Sequence, residues 1–110
     1  MVMEKRLHFR KYWRARIAFE DEFGEGVIYL YSHNISLGGI FVEESPLLKM
    51  GTHLFLSFIL PGKKRPMRIT GKVVRLVYQD KGGGLQSGVG ISFVELSQKN
   101  FAQLSQFLKH

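Results

Sequence analysis

The chain contains no cysteine among its 110 residues. This absence excludes a disulfide framework, a thiolate zinc site and a cysteine nucleophile, and it is compatible with a reducing compartment. Long apolar runs are also missing, because the longest, 54–60, is interrupted by Ser57 and is too short to span a bilayer. Residues 1–16 lack the apolar core of a signal peptide. We therefore expect a soluble, cytoplasmic protein without a membrane span.

Acidic residues are scarce, since 9 Asp and Glu face 16 Lys and Arg and the formal charge is +7. Such a balance favours an anionic partner, for example a nucleotide phosphate, a nucleic acid, a membrane surface or an acidic protein. Solubility alone is the simpler explanation. Positive charge is concentrated at the start of the chain, where only Glu4 opposes six basic side chains, namely Lys5, Arg6, Arg10, Lys11, Arg14 and Arg16.

The potential catalytic groups do not form a catalytic pattern. The histidines are scattered, without the spacing of metal ligands, and Ser36 has no evident His and Asp partners. The glycines 82–84 are not followed by the Lys-Ser or Lys-Thr of a phosphate-binding loop. The carboxylates within 20–25 crowd a turn, where a solvated loop is expected. We expect no enzyme activity, no metal site and no cofactor.

Alternation and β-branched or aromatic content predict strands at 15–19, 27–31, 40–42, 52–60, 67–78 and 89–94. Gly71 and the paired valines 73–74 break the alternation of the fifth strand, which predicts a bulge. Ser97 can cap a helix whose apolar face is formed by Phe101, Leu104, Phe107 and Leu108. We therefore predict one all-β domain, 1–110, with one C-terminal helix. A flexible basic arm, 1–13, precedes a six-stranded antiparallel β-barrel, 14–95, and the helix covers 97–109.

The basic arm contains two arginines four residues apart, Arg6 and Arg10. In an extended segment they would lie roughly 13 Å apart, so only a bent segment lets both reach one ligand. The planar fork of guanidinium donates two parallel hydrogen bonds to phosphate and also matches O6 and N7 of guanine. The pair could therefore hold a phosphate and recognise a guanine, although a solvated basic tail is the simpler interpretation.

A second pattern, Asn34-Ile35-Ser36-Leu37-Gly38-Gly39, follows the second predicted strand. Residues two apart on an extended chain point to the same side, which predicts that Asn34 and Ser36 face one ligand together. Gly38 and Gly39 permit close approach of the backbone. The segment would suit a flat, polar ligand against the barrel wall, and a simple turn between strands is the alternative.

Together these patterns resemble the PilZ domain family. The family has an arginine–three residues–arginine motif near its N-terminus and an [Asp/Asn]-x-Ser-x-x-Gly motif some two dozen residues later. Here these motifs are Arg6…Arg10 and Asn34-x-Ser36-x-x-Gly39. The likeness continues in order along nearly the whole chain, at 39–42, 51–52, 60–62, 71–74 and 88–93.

The resemblance implies a PilZ-like split barrel that binds cyclic di-GMP without changing it. By resemblance, Arg6 and Arg10 clamp the phosphates and guanine edges, while Asn34 and Ser36 hydrogen-bond guanine and Gly39 keeps the wall open. Asn34 stands where Asp is commoner in the family. The loss of a charged acceptor for a guanine N–H implies weaker binding.

Two further basic residues enter the predicted site through the resemblance. A basic residue at the position of Lys5 accompanies binding of an intercalated ligand dimer in this family. Arg75 falls where some relatives place a large stacking side chain, and a guanidinium plane stacks on guanine. A strand arginine that faces solvent is the simpler interpretation of Arg75.

The implied function is a second-messenger receptor in bacterial motility or biofilm regulation. Ligand would order the arm, and the change would reach an unidentified effector protein. One alternative is a degenerate PilZ-like adaptor that binds no nucleotide, against which the intact motifs speak. Another is a barrel that binds single-stranded nucleic acid through exposed aromatic side chains. The aromatic candidates, which core or edge packing would explain equally well, are Tyr12, Trp13, Tyr29 and Tyr31.

Overall fold

The structure, a computed structural model, describes residues 9–78 and 86–109. Within these ranges it contains seven strands and one helix. They are β1 (Lys11–Tyr12), β2 (Arg16–Asp21), β3 (Val27–Ile35), β4 (Gly39–Val42), β5 (His53–Phe58), β6 (Met67–Val77), β7 (Gly88–Glu95) and α1 (Gln98–Leu108). The predicted site residues Lys5 and Arg6 and the glycines 82–84 lie outside the described residues.

Six of the strands close into an antiparallel barrel in the order β3-β2-β5-β6-β7-β4, and pairing of β3 with β4 completes the circle. The length of β3 makes this closure possible. Its first part pairs with β2, where Arg16 lies opposite Tyr31, and its last part pairs with β4, where Ile35 lies opposite Ile40. The predicted six-stranded barrel with one C-terminal helix is confirmed.

Strand β1 adds two residues to the outside of this circle, because Lys11 pairs with Ile35 and Tyr12 with Asn34 of β3. The next residue, Trp13, packs edge-on against Phe58 and Phe107, with ring centroids 5.6 and 5.2 Å away. Of the predicted arm, 1–13, the described part is therefore held to β3, β5 and α1.

Most predicted boundaries agree with the structure, and the main difference lies in β3. The sequence predicts that this strand ends at Tyr31, whereas in the structure it continues to Ile35. The polar side chain of Ser32 interrupts the apolar alternation, yet it is buried because its Oγ accepts from the backbone N–H of Ala15 at 3.0 Å and donates to the carbonyl oxygen of Trp13. The predicted bulge in β6 is confirmed by register shifts between Thr70 and Gly71 and between Val73 and Arg75.

The helix α1 begins where the sequence predicts, since Ser97 Oγ accepts a hydrogen bond from the Asn100 backbone N–H at 3.1 Å. Leu104 is fully buried in the barrel core, and Phe107 and Leu108 pack around it. The inclusion of Phe101 in this apolar face was wrong, because its side chain is 49 % exposed. Within the described residues, no helix is long and apolar enough to cross a membrane.

Candidate ligand-binding site

A cleft of about 630 Å³ opens between the β3–β4 turn, β6 and β7. Its volume lies within the usual range of small-molecule sites, about 300–1,000 Å³. The cleft brings together five of the residues that the sequence predicts for a site, namely Arg10, Ser36, Gly38, Gly39 and Arg75. A sixth, Asn34, contacts the cleft through Arg10. The remaining lining residues are Val74, Gly90, Ile91, Ser92 and Phe93.

Arg10 reaches the cleft because β1 fixes the chain beside the end of β3. Tyr12 pairs with Asn34, and two residues earlier the Nη1 of Arg10 donates a hydrogen bond to Asn34 Oδ1 at 2.7 Å. The two sequence motifs, 24 residues apart at this contact, therefore meet directly. Asn34 orients the arginine that the sequence assigns to the ligand clamp.

The guanidinium of Arg10 lies in a positive environment. Partial burial lowers the pKa of Arg10, and the nearby charge of Arg75 lowers it further. Both effects disfavour the charged form, but arginine keeps its proton at neutral pH because its ordinary pKa is so high. An anion bound between the two guanidinium groups would relieve their repulsion and restore part of the lost solvation. The arrangement is therefore suited to a phosphate.

Arg75 crosses the wall of the cleft beside β7. It pairs with Gly90 across the β6–β7 ladder, and its Cζ lies 5.6 Å from the ring centroid of Phe41. A Cβ added to Gly90 would lie 3.2 Å from the Cβ of Arg75 and 3.7 Å from its Nε. The glycine thus makes room for the arginine side chain. Gly90 was not among the predicted site residues, although two glycines within one strand are a signal of close approach.

Ser36 lines the cleft, but its hydroxyl group forms hydrogen bonds within the β3–β4 turn. Strand β3 ends at Ile35, so the alternation that predicted a shared face for Asn34 and Ser36 does not extend to Ser36. The side chain is 1 % exposed, and its Oγ accepts from the backbone N–H of Gly38 at 3.1 Å and of Gly39 at 3.2 Å. Ser36 therefore shapes the turn, and its predicted hydrogen bond to guanine stays a prediction.

Gly39 marks the closest approach between the turn and β7. A Cβ at this position would collide with the carbonyl oxygen of Ile91 and would lie 3.3 Å from the Cα of Ser92. The backbone pairing of Gly39 with Ser92 leaves no space for a side chain. Glycine is therefore required here for β4 to pair closely with β7, and the predicted role of Gly39 in keeping the wall open stays a prediction.

Comparison with known families agrees with this fold, since the family described as PilZ domain matches residues 4–110. The chain belongs to the PilZ domain family. The match confirms the resemblance drawn from the motifs, and it includes Lys5 and Arg6 as well as the cleft residues. This PilZ domain has no significant match among curated proteins.

Three solved structures share the fold of this PilZ domain. The inhibitor of motility MotI/DgrA of Bacillus subtilis superposes with a TM-score of 0.74 at 21% identity, covering 93% of this chain and 48% of that one. The PilZ domain of CeSA from a cellulose-synthesizing bacterium gives 0.64 at 18% identity, covering 93% and 99%. The PilZ domain of YcgR from Escherichia coli with c-di-GMP gives 0.68 at 12% identity, covering 93% and 88%. The chain thus spans about half the length of MotI/DgrA.

Proposed function

We propose that this PilZ domain is a cytoplasmic receptor for cyclic di-GMP that binds the dinucleotide in the cleft and carries out no chemistry on it. The observation that carries the proposal is the hydrogen bond from Arg10 to Asn34, which holds one guanidinium at the cleft beside that of Arg75. The structure of YcgR with c-di-GMP supports the choice of ligand, because that domain shares this fold.

The cleft matches the chemistry of the dinucleotide. Cyclic di-GMP presents two phosphates and two guanine rings, and guanidinium recognises both groups by bidentate hydrogen bonds. Arg10 and Arg75 supply two such forks, and Lys5 and Arg6 would add charge from the preceding segment. Gly39 lets β4 approach β7 and Gly90 makes room for Arg75, so both glycines shape the wall against which a flat ring would lie. The proposal includes an intercalated ligand dimer, which the resemblance implies through Lys5.

The receptor would act through another protein. Ligand phosphates would order the basic arm against the cleft, and the altered surface would be recognised by an effector. MotI/DgrA carries the name inhibitor of motility, which makes motility a reasonable output to examine alongside biofilm formation.

Isothermal titration with cyclic di-GMP tests the proposal. We expect wild type to bind, with two ligands per chain if the dimer is the bound form. The variant Arg10→Ala should weaken binding by about 5- to 150-fold, the equivalent of one bidentate contact of about 1–3 kcal/mol. Arg65→Ala is the matched control, because it removes the same charge from an exposed position in the β5–β6 turn.

Two outcomes of the titration would contradict the proposal. A flat isotherm for folded wild type would refute ligand binding and leave the adaptor alternative. Equal affinities for wild type and Arg10→Ala would remove Arg10 from the binding site and with it the observation that carries the proposal.

A further inference from the structure

The outer face of β3, β2 and the two residues before β2 bears two arginines stacked on two tyrosines. The Cζ of Arg14 lies 4.2 Å from the ring centroid of Tyr31, and the Cζ of Arg16 lies 4.1 Å from that of Tyr29. The tyrosines remain 41% and 54% exposed. We call these four residues the arginine–tyrosine face. None of them lines the cleft.

The strand register makes this face an ordered array. Residues 14 and 16 point to the same side because they are two apart on an extended segment. Arg16 pairs directly with Tyr31 across the ladder, yet its guanidinium lies over Tyr29, the diagonal neighbour. Stacking restricts both guanidinium groups before any partner arrives. Less side-chain entropy would therefore be lost on binding than for freely moving arginines.

The two arginines of the face form no ion pair within the described residues. The two nearby carboxylates have other partners, since Glu43 Oε1 accepts from the Tyr31 backbone N–H at 2.8 Å and Glu20 Oε1 forms an ion pair with Arg68 Nη2 at 3.2 Å. In the part of the chain that the structure describes, neither Arg14 nor Arg16 forms a salt bridge. Among the residues that the structure describes, the face thus offers two oriented guanidinium groups outside any ion pair, with the carboxylate of Glu43 beside Tyr31.

We propose that the arginine–tyrosine face is a docking surface for a carboxylate-rich segment of a partner protein. A guanidinium that stacks on a ring keeps its in-plane N–H groups available, and their fork geometry matches a carboxylate. Arginine and tyrosine are also among the side chains enriched at protein interfaces. The inference rests on the proposed receptor function in one respect, since the face would be the surface through which the receptor acts on its effector. The face itself is formed without any residue of the cleft.

The same geometry disfavours single-stranded nucleic acid as the occupant. Sequence-tolerant binding of single strands requires bases to stack on open aromatic faces. Here the guanidinium groups of Arg14 and Arg16 already cover the rings. One side of each ring is therefore covered, and the in-plane N–H groups of both arginines remain as donors, which favours a carboxylate partner over bases that need open rings.

Fluorescence anisotropy with a labelled ten-residue glutamate peptide tests the proposal on the full chain, with a ten-nucleotide oligothymidine as the second probe. The variant R14E/R16E reverses the charge of the face. Its matched control, K63E/K64E, makes the same change in net charge at exposed positions of the β5–β6 turn. The variant R14K/R16K keeps the charge but removes the fork. Resonances of the arginine Nε–Hε groups report the location of binding.

We expect R14E/R16E to weaken peptide binding by about tenfold or more, equivalent to about 1.4 kcal/mol. K63E/K64E should change it by no more than about twofold, as expected where only long-range, screened charge is altered. R14K/R16K should weaken it by about threefold or more, because an ammonium group cannot make the bidentate contact. The Nε–Hε resonances of Arg14 and Arg16 should shift with peptide.

Several results would overturn the proposal. Failure of wild type to bind the peptide would refute the role of the face, and so would equal losses of peptide affinity in R14E/R16E and K63E/K64E. An unchanged peptide affinity in R14K/R16K would refute the bidentate contact. Oligothymidine that binds more tightly than the peptide and shifts the same resonances would make nucleic acid the occupant. Titration of cyclic di-GMP into the two charge-reversal variants separates this proposal from the receptor function. Wild type that binds the peptide as expected but not the dinucleotide would refute only the receptor function, and the reverse result would refute only the docking surface.

Discussion

Arg10 and Asn34 are joined by a hydrogen bond of 2.7 Å from the Nη1 of the arginine to the Oδ1 of the asparagine. The contact links the arm motif to the barrel motif at the cleft. The direction in which Arg10 points therefore depends on the chemistry of residue 34. This dependence gives the first prediction.

Asn34→Asp should raise the affinity for cyclic di-GMP by about three- to tenfold. A carboxylate accepts charge-assisted hydrogen bonds, and its two oxygens serve both Arg10 and a guanine N–H. Asn34→Ala should lower the affinity, because Arg10 loses its acceptor. Isothermal titration measures both changes. An Asn34→Ala variant that binds as tightly as wild type would remove residue 34 from the site.

Arg75→Ala should weaken cyclic di-GMP binding by about fivefold or more, since it removes the second guanidinium of the cleft. Gly90→Ala should cause a smaller loss, because the added Cβ would lie 3.2 Å from the Cβ of Arg75 and displace that side chain without removing it. Lys72→Ala, an exposed change on the same strand, is the control for lost charge. Isothermal titration of the three variants with cyclic di-GMP measures these changes. Equal affinities of Arg75→Ala and Lys72→Ala for the ligand would speak against the assignment of Arg75 to the site.

Ser36→Ala should destabilise the fold by about 1–3 kcal/mol. Its buried Oγ accepts from the backbone N–H groups of Gly38 and Gly39, which would be left without this partner. Ser45→Ala is the matched control, since Ser45 Oγ accepts from the Leu47 backbone N–H in an exposed turn where water can replace it. Urea unfolding compares the two variants. Equal stability losses would contradict a special role for the buried turn.

Gly39→Ala should cost about 1–3 kcal/mol of stability, because the new methyl group would overlap the carbonyl oxygen of Ile91 and push β4 away from β7. Gly26→Ala is the control, as an added Cβ there meets nothing within 4 Å, and we expect a change below about 0.5 kcal/mol. Thermal and urea unfolding measure the difference. A Gly39→Ala domain of unchanged stability would show that the two strands separate without cost.

Trp13→Ala should reduce the free energy of unfolding by about 2–3 kcal/mol, below the ~3–5 kcal/mol of a fully buried tryptophan. The indole packs on Phe58 of β5 and Phe107 of α1, so its loss affects two elements together. Tyr12→Ala, the neighbouring aromatic at 89 % exposure, should change stability by less than about 0.5 kcal/mol. Urea unfolding at matched concentration gives both values, and similar losses in the two variants would contradict this account.

The strands were predictable where one face is buried and the other is not. β5 shows this directly, since Leu54, Leu56 and Phe58 are buried and the residues between them are not. The end of β3 was not predictable in this way, because Ser32 is polar and buried. Its hydrogen bonds reach residues 13 and 15, and such long-range partners leave no local signal in the sequence.

The site was partly predictable for a similar reason. Arg10 and Asn34 stand out by residue type and spacing, and Arg75 by resemblance to the family. Gly90 did not stand out, because its contribution is to lie opposite Arg75 across a ladder whose register is shifted by a bulge. The Ser36 hydroxyl was expected at the ligand, but only the turn geometry shows that it accepts from two backbone N–H groups.

Closure of the barrel has a consequence for how this domain meets other proteins. Each of the six barrel strands is flanked on both sides by another strand in the part of the chain that the structure describes. Strand addition, in which a peptide extends an open sheet edge, therefore has only short stretches to use, such as 27–30 of β3 and 67–69 of β6, which pair on one side alone among the described residues. Recognition would depend mainly on side chains that project from the wall. Such side chains can be exchanged without disturbing the hydrogen-bonded ring beneath them, so one scaffold can acquire different partners through surface substitutions alone.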